Sequence, residues 1–359
     1  MADHSCQVGK QKLLLIIGVA LEDLPQPNEM LSFDKMKILA VVPGDRWKTE
    51  DVRVQYEKLA AQIGPPVFLL CDGANELRDS AEGLGGEGFA TIVLGDLKHR
   101  AANIMKHEIG SSERFNSFVS QAGKTTRSIV QTELSHFSPP GLKAKSRFMN
   151  LGPLLNWAGM ILHFLDHPES KAWREIDRDR LQEKFGWLQG YAEDVARWRC
   201  CQQMVEASLK VIHYHGFDND TASLVKDATE QLLSGDPAQD RLPARVSKQL
   251  VDWVQEQASK LPPKTRSWLS TEILESLFGR FKHLSKQHSK GSFTRLIGAI
   301  GALCGEVTGD SVRAAFERLT SPQLQAWIKE SLGTTSNARR NAAYHEYRQQ
   351  TNAPPAMPA

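Results

Sequence analysis

Three acidic residues stand where phosphoryl chemistry could use them. Glu275 lies in the segment Ser270-Thr271-Glu272-Ile273-Leu274-Glu275-Ser276-Leu277-Phe278-Gly279-Arg280-Phe281-Lys282. At ~100° per residue, Leu274, Leu277, Phe278, Phe281 and Leu284 form one apolar stripe of a helix. Glu275 borders that stripe, on the flank that also carries Gly279, Lys282 and Lys286. A half-buried carboxylate with a small residue one turn on and cations beyond suits a metal ligand facing a nucleic-acid backbone. The same pattern also describes an ordinary amphipathic helix with solvated charges. Asp72 closes the apolar run Val67-Phe68-Leu69-Leu70-Cys71 and precedes Gly73. Alone it reads as a turn aspartate. Asp3 opens Asp3-His4-Ser5-Cys6-Gln7-Val8-Gly9-Lys10 and alone reads as a frayed terminal residue.

The elements around these residues have a definite order. Leu13–Ala20, Lys37–Val42, Val67–Leu70 and Ala90–Leu94 are short runs rich in Val, Ile and Leu, bounded by Gly, Pro or Asp. Buried strands read this way. Thr49–Ile63 reads as a helix with Thr49 as cap, Glu50 and Asp51 in its first turn, and Gly64-Pro65 as its stop. The order is strand, strand, helix, strand, strand. Strand signals end after Asn103, and residues from about 109 to 262 read as helices, with Asn150–Leu165, Asp177–Ala207, Asp220–Leu233 and Arg245–Lys260 the clearest. Pro139-Pro140, Ser234-Gly235-Asp236-Pro237 and Pro262-Pro263 mark breaks. Trp157, Trp187, Tyr191 and Trp198 read as core of this helical block, with stacking on distorted DNA as the other use of such rings.

With Thr91-Ile92-Val93-Leu94-Gly95-Asp96-Leu97-Lys98-His99-Arg100-Ala101-Ala102-Asn103 added, the four stretches together resemble the catalytic domain of bacterial insertion-sequence transposases of the DDE type. The resemblance covers roughly residues 1–300 and rests on the order and spacing of the four motifs. It implies an α/β, ribonuclease-H-like mixed sheet with a large all-α insertion and a helical C-terminal part. The expected boundaries are 1–108 for the first part of the core, 109–262 for the insertion, 263–333 for the catalytic helix and C-terminal helices, and 334–359 for a disordered tail. It further implies Asp3, Asp72 and Glu275 as catalytic carboxylates and ligands of Mg²⁺ or Mn²⁺, with Glu272 as the fallback one turn earlier. The implied partner is double-stranded DNA, at transposon ends and target, bound by a homo-oligomer.

Such a fold has a first strand ending on the first aspartate, beside the fourth, so that Asp3 and Asp72 lie together at carboxyl ends where ligands bind. Only Met1 and Ala2 precede Asp3. The expectation is therefore an N-terminally truncated chain that lacks most of this strand, for which the family assignment can hold even while the chain as written is inactive. Two other readings stay open: a ribonuclease-H-like nuclease without strand transfer, and a non-catalytic nucleic-acid-binding remnant.

The chemistry explains the carboxylates. Two Mg²⁺ ions about 3.5–4 Å apart can activate an attacking oxygen and stabilise a leaving one. Mg²⁺ takes oxygen ligands and keeps places for water and phosphate. Carboxylates brought together without a cation repel and raise one another's pKa. The net charge is only +2, but Arg241 to Arg295 holds eleven Lys or Arg against four Asp or Glu. Arg280, Lys282 and Lys286 in that stretch, and Lys143, Lys145 and Arg147 after Pro139-Pro140, are the candidate phosphate contacts.

Five cysteines without CxxC spacing speak against zinc and against a disulfide framework, and a reducing cytoplasm is expected. No apolar run is long enough for a membrane span. Gly123-Lys124-Thr125 lacks the earlier glycine of a phosphate-binding loop and sits in a helix pattern. Gly83-Leu84-Gly85-Gly86-Glu87-Gly88 precedes a strand where a dinucleotide fingerprint must follow one. His99, with Asp96 and Lys98, belongs to a motif that recurs in the resembled family, and reads as structural. Beyond Gly305, helices are expected after Asp310 and after Ser321-Pro322.

Overall fold

The structure, a computed structural model, describes residues 1–8, 11–142, 144–167, 177–233, 241–287, 297–304, 308–333 and 336–351. The chain divides into two compact units. One comprises Met1–Pro25, Leu31–Leu94 and Thr271–Ala359; the other comprises Gln26–Met30 and Gly95–Ser270.

The first unit is built on a mixed five-stranded sheet. Its strands are β1 (Ala2–Val8), β2 (Gln11–Gly18), β3 (Lys37–Gly44), β4 (Phe68–Cys71) and, after a two-stranded hairpin of β5 (Gly85–Gly86) and β6 (Phe89–Ala90), β7 (Ile92–Gly95). The sheet order is β3-β2-β1-β4-β7. β2 is antiparallel to both β1 and β3, whereas β1 is parallel to β4. The run Leu13–Ile17 is apolar without interruption because both faces of β2 are covered. Leu13, Leu15 and Ile17 join Met36 and the stripe of α10 (Glu272–Gln287). Leu14 and Ile16 join Ala2, Leu69 and Cys71 with Val52 and Tyr56 of α1 (Thr49–Ile63) and Leu77 of α2 (Asn75–Asp79). A one-residue slip would exchange these two sets, so the register is strongly held.

Two expectations are corrected here. Asp3 does not end a strand that is mostly missing; it is the second residue of β1, which runs on to Val8. Its polar sequence has no strand pattern of its own. Pairing with the apolar β2, at Asp3↔Leu15 and His4↔Leu14, makes it one. Thr49 is the first helical residue of α1 instead of its cap. The Asp51 carboxylate closes that end by accepting from the Lys48 N–H at 3.1 Å. Gly64, at φ +85°, ends α1 in a conformation that glycine alone adopts without cost.

Towards the C-terminus, Gly309–Arg318 follows the Thr308 cap, and Ser321–Leu332 follows the Thr320 cap with Pro322 in its first turn. Ser336–Thr351, expected as tail, forms a helix whose described side chains are exposed. Gly85-Gly86 of the glycine-rich stretch pairs with Phe89-Ala90 as the β5–β6 hairpin.

The second unit is helical, with α3 (Leu97–Ile109), α4 (Glu113–Ile129), α5 (Gly152–Asp166), α6 (Arg178–Phe185), α7 (Ala192–His215), α8 (Thr221–Leu233) and α9 (Arg241–Ala258). Its bounds are wider than the expected 109–262, because the chain leaves the sheet at the end of β7 and returns to it only at α10. Asp177 caps α6, and a 3₁₀ turn over Gly186–Tyr191 separates α6 from α7. The aromatic residues form the core, as expected. Trp157, Tyr191 and Trp198 are buried, and Phe115 meets Trp198 edge-on at 5.1 Å between centroids. The Trp187 indole N–H donates to Thr125 Oγ1 at 2.9 Å. The Gly123-Lys124-Thr125 tripeptide lies inside α4. The break at 234–237 lies outside the described residues.

Candidate functional site

The site is built on the centre of the sheet. Ala2 of β1 and Cys71 of β4 are register partners in a parallel pair. One residue further along stand Asp3, within β1, and Asp72, in the turn just past β4, so two positions 69 apart in the sequence come to one end of this strand pair. Asp3 pairs in register with Leu15, whose side chain belongs to the cluster under α10. Successive side chains alternate between faces, so Asp3 is directed to the α10 face and His4 to the α1–α2 face.

Asp72 leaves β4 into a tight turn. Its Oδ1 accepts from the Ala74 N–H at 2.9 Å, and Gly73 takes φ +91° between them. Cys71, beside Asp72, has its thiol pKa raised, chiefly by burial. That thiol is a poor candidate for nucleophile or soft ligand.

Glu275 is carried by α10. Leu274, Leu277, Phe278 and Phe281 are buried against the sheet, which is the stripe expected from the sequence. Glu275 is half-buried at its border, and its Oε1 lies out of solvent. Among the described residues, Asp3, Asp72 and Glu275 do not draw their carboxylates into one group within 4.8 Å. The parallel pairing thus brings Asp3 and the turn that holds Asp72 to one end of the β1–β4 pair, and α10, which carries Glu275, packs on the sheet face to which Leu15 belongs.

The cationic candidates divide. Arg280, Lys282 and Lys286 are exposed on α10, and the Arg280 guanidinium lies over the Phe33 ring at 3.8 Å. That stacking fixes the Arg280 head in place. Arg147, in the second unit, lies over Phe148 at 5.1 Å. Lys143 lies outside the described residues; Lys145 falls in the 3₁₀ turn Ala144–Met149.

His99 stands in the first turn of α3. Asp96 caps α3, accepting from the N–H groups of Lys98 at 3.2 Å and His99 at 3.4 Å, and its carboxylate also bonds His99 Nδ1. The Asp96 side chain is fully buried, and this pair anchors the start of α3.

One pair next to the site was not visible in the sequence. His4 Nε2 meets Glu76 Oε1 at 2.5 Å, and Lys12 Nζ meets His4 Nδ1 at 2.7 Å. Burial pushes the Glu76 carboxyl up, but its own N–H, His4 and Lys12 outweigh this and hold it below the ordinary glutamate value. No spacing rule links positions 72 apart, so only the fold reveals the pair.

No protein-family model matches this chain, and no curated protein matches it either. Among the described residues, no helix is long and apolar enough to cross a membrane.

Proposed function

We propose that the first unit is the catalytic core of a metal-dependent DNA strand-cleaving and strand-transferring enzyme, a DDE-type transposase on a ribonuclease-H-like sheet. The observation that carries this reading is the strand order β3-β2-β1-β4-β7. With β1 antiparallel to β2 and parallel to β4, it sets Asp3 beside Asp72 at the middle of the sheet. The donor chemistry fits a hard divalent cation. Carboxylate oxygens from Asp3, Asp72 and Glu275 would hold Mg²⁺ or Mn²⁺, and no thiol or imidazole is needed. When bound, such ions supply Lewis-acid activation of the attacking and leaving oxygens.

The chain's own residues have separate tasks. β1 and the turn after β4 present the two aspartates. The buried stripe of α10 sets the height of Glu275 above the sheet. Lys282 and Lys286, further along α10, are exposed and suited to DNA phosphates, and Arg147 offers a second contact. The proposed partner is double-stranded DNA, bound by a homo-oligomer in the cytoplasm.

The test uses the full chain. Mn²⁺ binding followed by electron paramagnetic resonance should be weak but saturable, because few protein ligands are available. Asp72→Asn should abolish it and should abolish Mn²⁺-dependent nicking of supercoiled DNA, while DNA retention on a gel stays nearly unchanged. Wild-type metal binding and nicking by Asp72→Asn would refute the reading. Nicking without joining of DNA ends would favour a nuclease over a transposase.

A further inference from the structure

The metal-site reading leaves one arrangement unused, and the following inference rests on that reading. Lys12, His4 and Glu76 form a continuous chain of hydrogen bonds on the face of β1 opposite Asp3. A lysine ammonium can only donate. His4 Nδ1 is therefore the acceptor, Nε2 carries the proton, and that proton is donated to Glu76. The tautomer is fixed by the neighbours, as it is for histidines that orient a functional group.

The chain of bonds closes a loop through the site. Asp3 and His4 are consecutive on β1. Glu76 stands in the first turn of α2, four residues after Asp72. Between them lie only Gly73, at φ +91°, and Ala74, whose N–H is already held by Asp72, followed by Asn75. Any movement of α2 against β1 is passed to Asp72 through this short tether. Between β1 and β4 the described register is the single pair Ala2↔Cys71, so the side-chain bond adds a second tie between these elements. The His4 side chain is 10% exposed and that of Glu76 is 32% exposed, so the bridge is partly shielded from competing water.

We propose that His4 and Glu76 are positioning residues for the aspartate pair: their bond latches α2 to β1 and so fixes the turn that presents Asp72 beside Asp3. Neither touches the metal. They act by limiting where the Asp72 carboxylate can be, which raises affinity for a cation that needs both aspartates at once.

The test is Mn²⁺ affinity of the full chain, measured by electron paramagnetic resonance well below the melting temperature. His4→Ala and Glu76→Ala should each weaken Mn²⁺ by about tenfold, the low end of what outer partners of a metal site are worth. The double variant should be no weaker than either single one, because one latch is lost in each. Glu76→Gln keeps an acceptor for the Nε2 proton and should stay within about twofold of wild type, a smaller loss than that of an unmade bond. Val52→Ala, on the buried face of α1, should lower the melting temperature without moving Mn²⁺ affinity, which separates positioning from general destabilisation. If His4→Ala and Glu76→Ala bind Mn²⁺ like wild type while Asp72→Asn does not, the latch is refuted and the metal site stands. If Asp72→Asn itself binds like wild type, the metal site is refuted and the latch falls with it.

Discussion

Replacing Phe281 by alanine tests whether α10 is held to the sheet by the stripe that positions Glu275. The ring is 1% exposed and packs in the cluster of Leu13, Leu15 and Ile17. Truncation loses its transfer free energy and leaves a cavity that rigid neighbours fill only in part. Substitutions of this kind cost about 3–5 kcal/mol. Lys282, the next residue, is exposed, and Lys282→Ala should stay within about 0.5 kcal/mol. In a unit of roughly 150–250 residues, each kcal/mol shifts the midpoint by about 2–4 °C. Phe281→Ala should therefore lower the melting of the first unit by roughly 6–20 °C, and Lys282→Ala by about 2 °C or less. The two units need not melt together, so calorimetry should be paired with a local probe. Hydrogen exchange of the β2 amides supplies one, since β2 lies directly under α10. If Phe281→Ala leaves both the midpoint and β2 protection unchanged, α10 does not cover the sheet, and Glu275 loses its argued place.

Three further outcomes follow from the same geometry. Glu275→Gln should weaken Mn²⁺ binding strongly and Glu272→Gln little; the reverse result moves the ligand back one turn. Asp96→Ala removes the cap of α3 and should cost about 1–2 kcal/mol in urea unfolding, whereas Asp96→Asn, still an acceptor, should retain most of the stability. In the chain starting at Met1, the buried terminal amine donates to Ile17 O at 2.8 Å, and burial lowers its pKa from 8.0 to about 6. The unfolded chain then binds the extra proton first, so this contribution is complete above pH 8 and is lost as pH falls to 6, about 2–3 kcal/mol at most. Urea midpoints at the two pH values should show this slope, and an Nα-acetylated chain should lack it; an equal slope in both would refute it.

What could be seen in the sequence depended on how each element is stabilised. β2, β4 and the α10 stripe are apolar because they are covered, and coverage leaves a pattern in the residues themselves. β1 has no such pattern. Asp3, His4 and Ser5 become strand residues only through the partner they pair with, so a reading of local signals mistakes a strand for a frayed end. The helix Ser336–Thr351 is hidden for the opposite reason. It buries none of its described side chains, and Ala338, Ala342, Ala343 and its arginines favour helix by propensity alone. The candidate site divides along the same line. Asp72 and Glu275 mark the border of buried elements and are legible there. That Asp3 stands next to Asp72 depends on β1 being inserted between β2 and β4, a property of the order of strands and of no single segment. His4 and Glu76 depend on that order a second time, because a histidine facing away from Asp3 gains a carboxylate only when α2 is laid against the same strand. Of the residues argued to carry chemistry, Asp72 and Glu275 are thus read from burial patterns, while Asp3 and the residues argued to aim the pair come into view only with the topology.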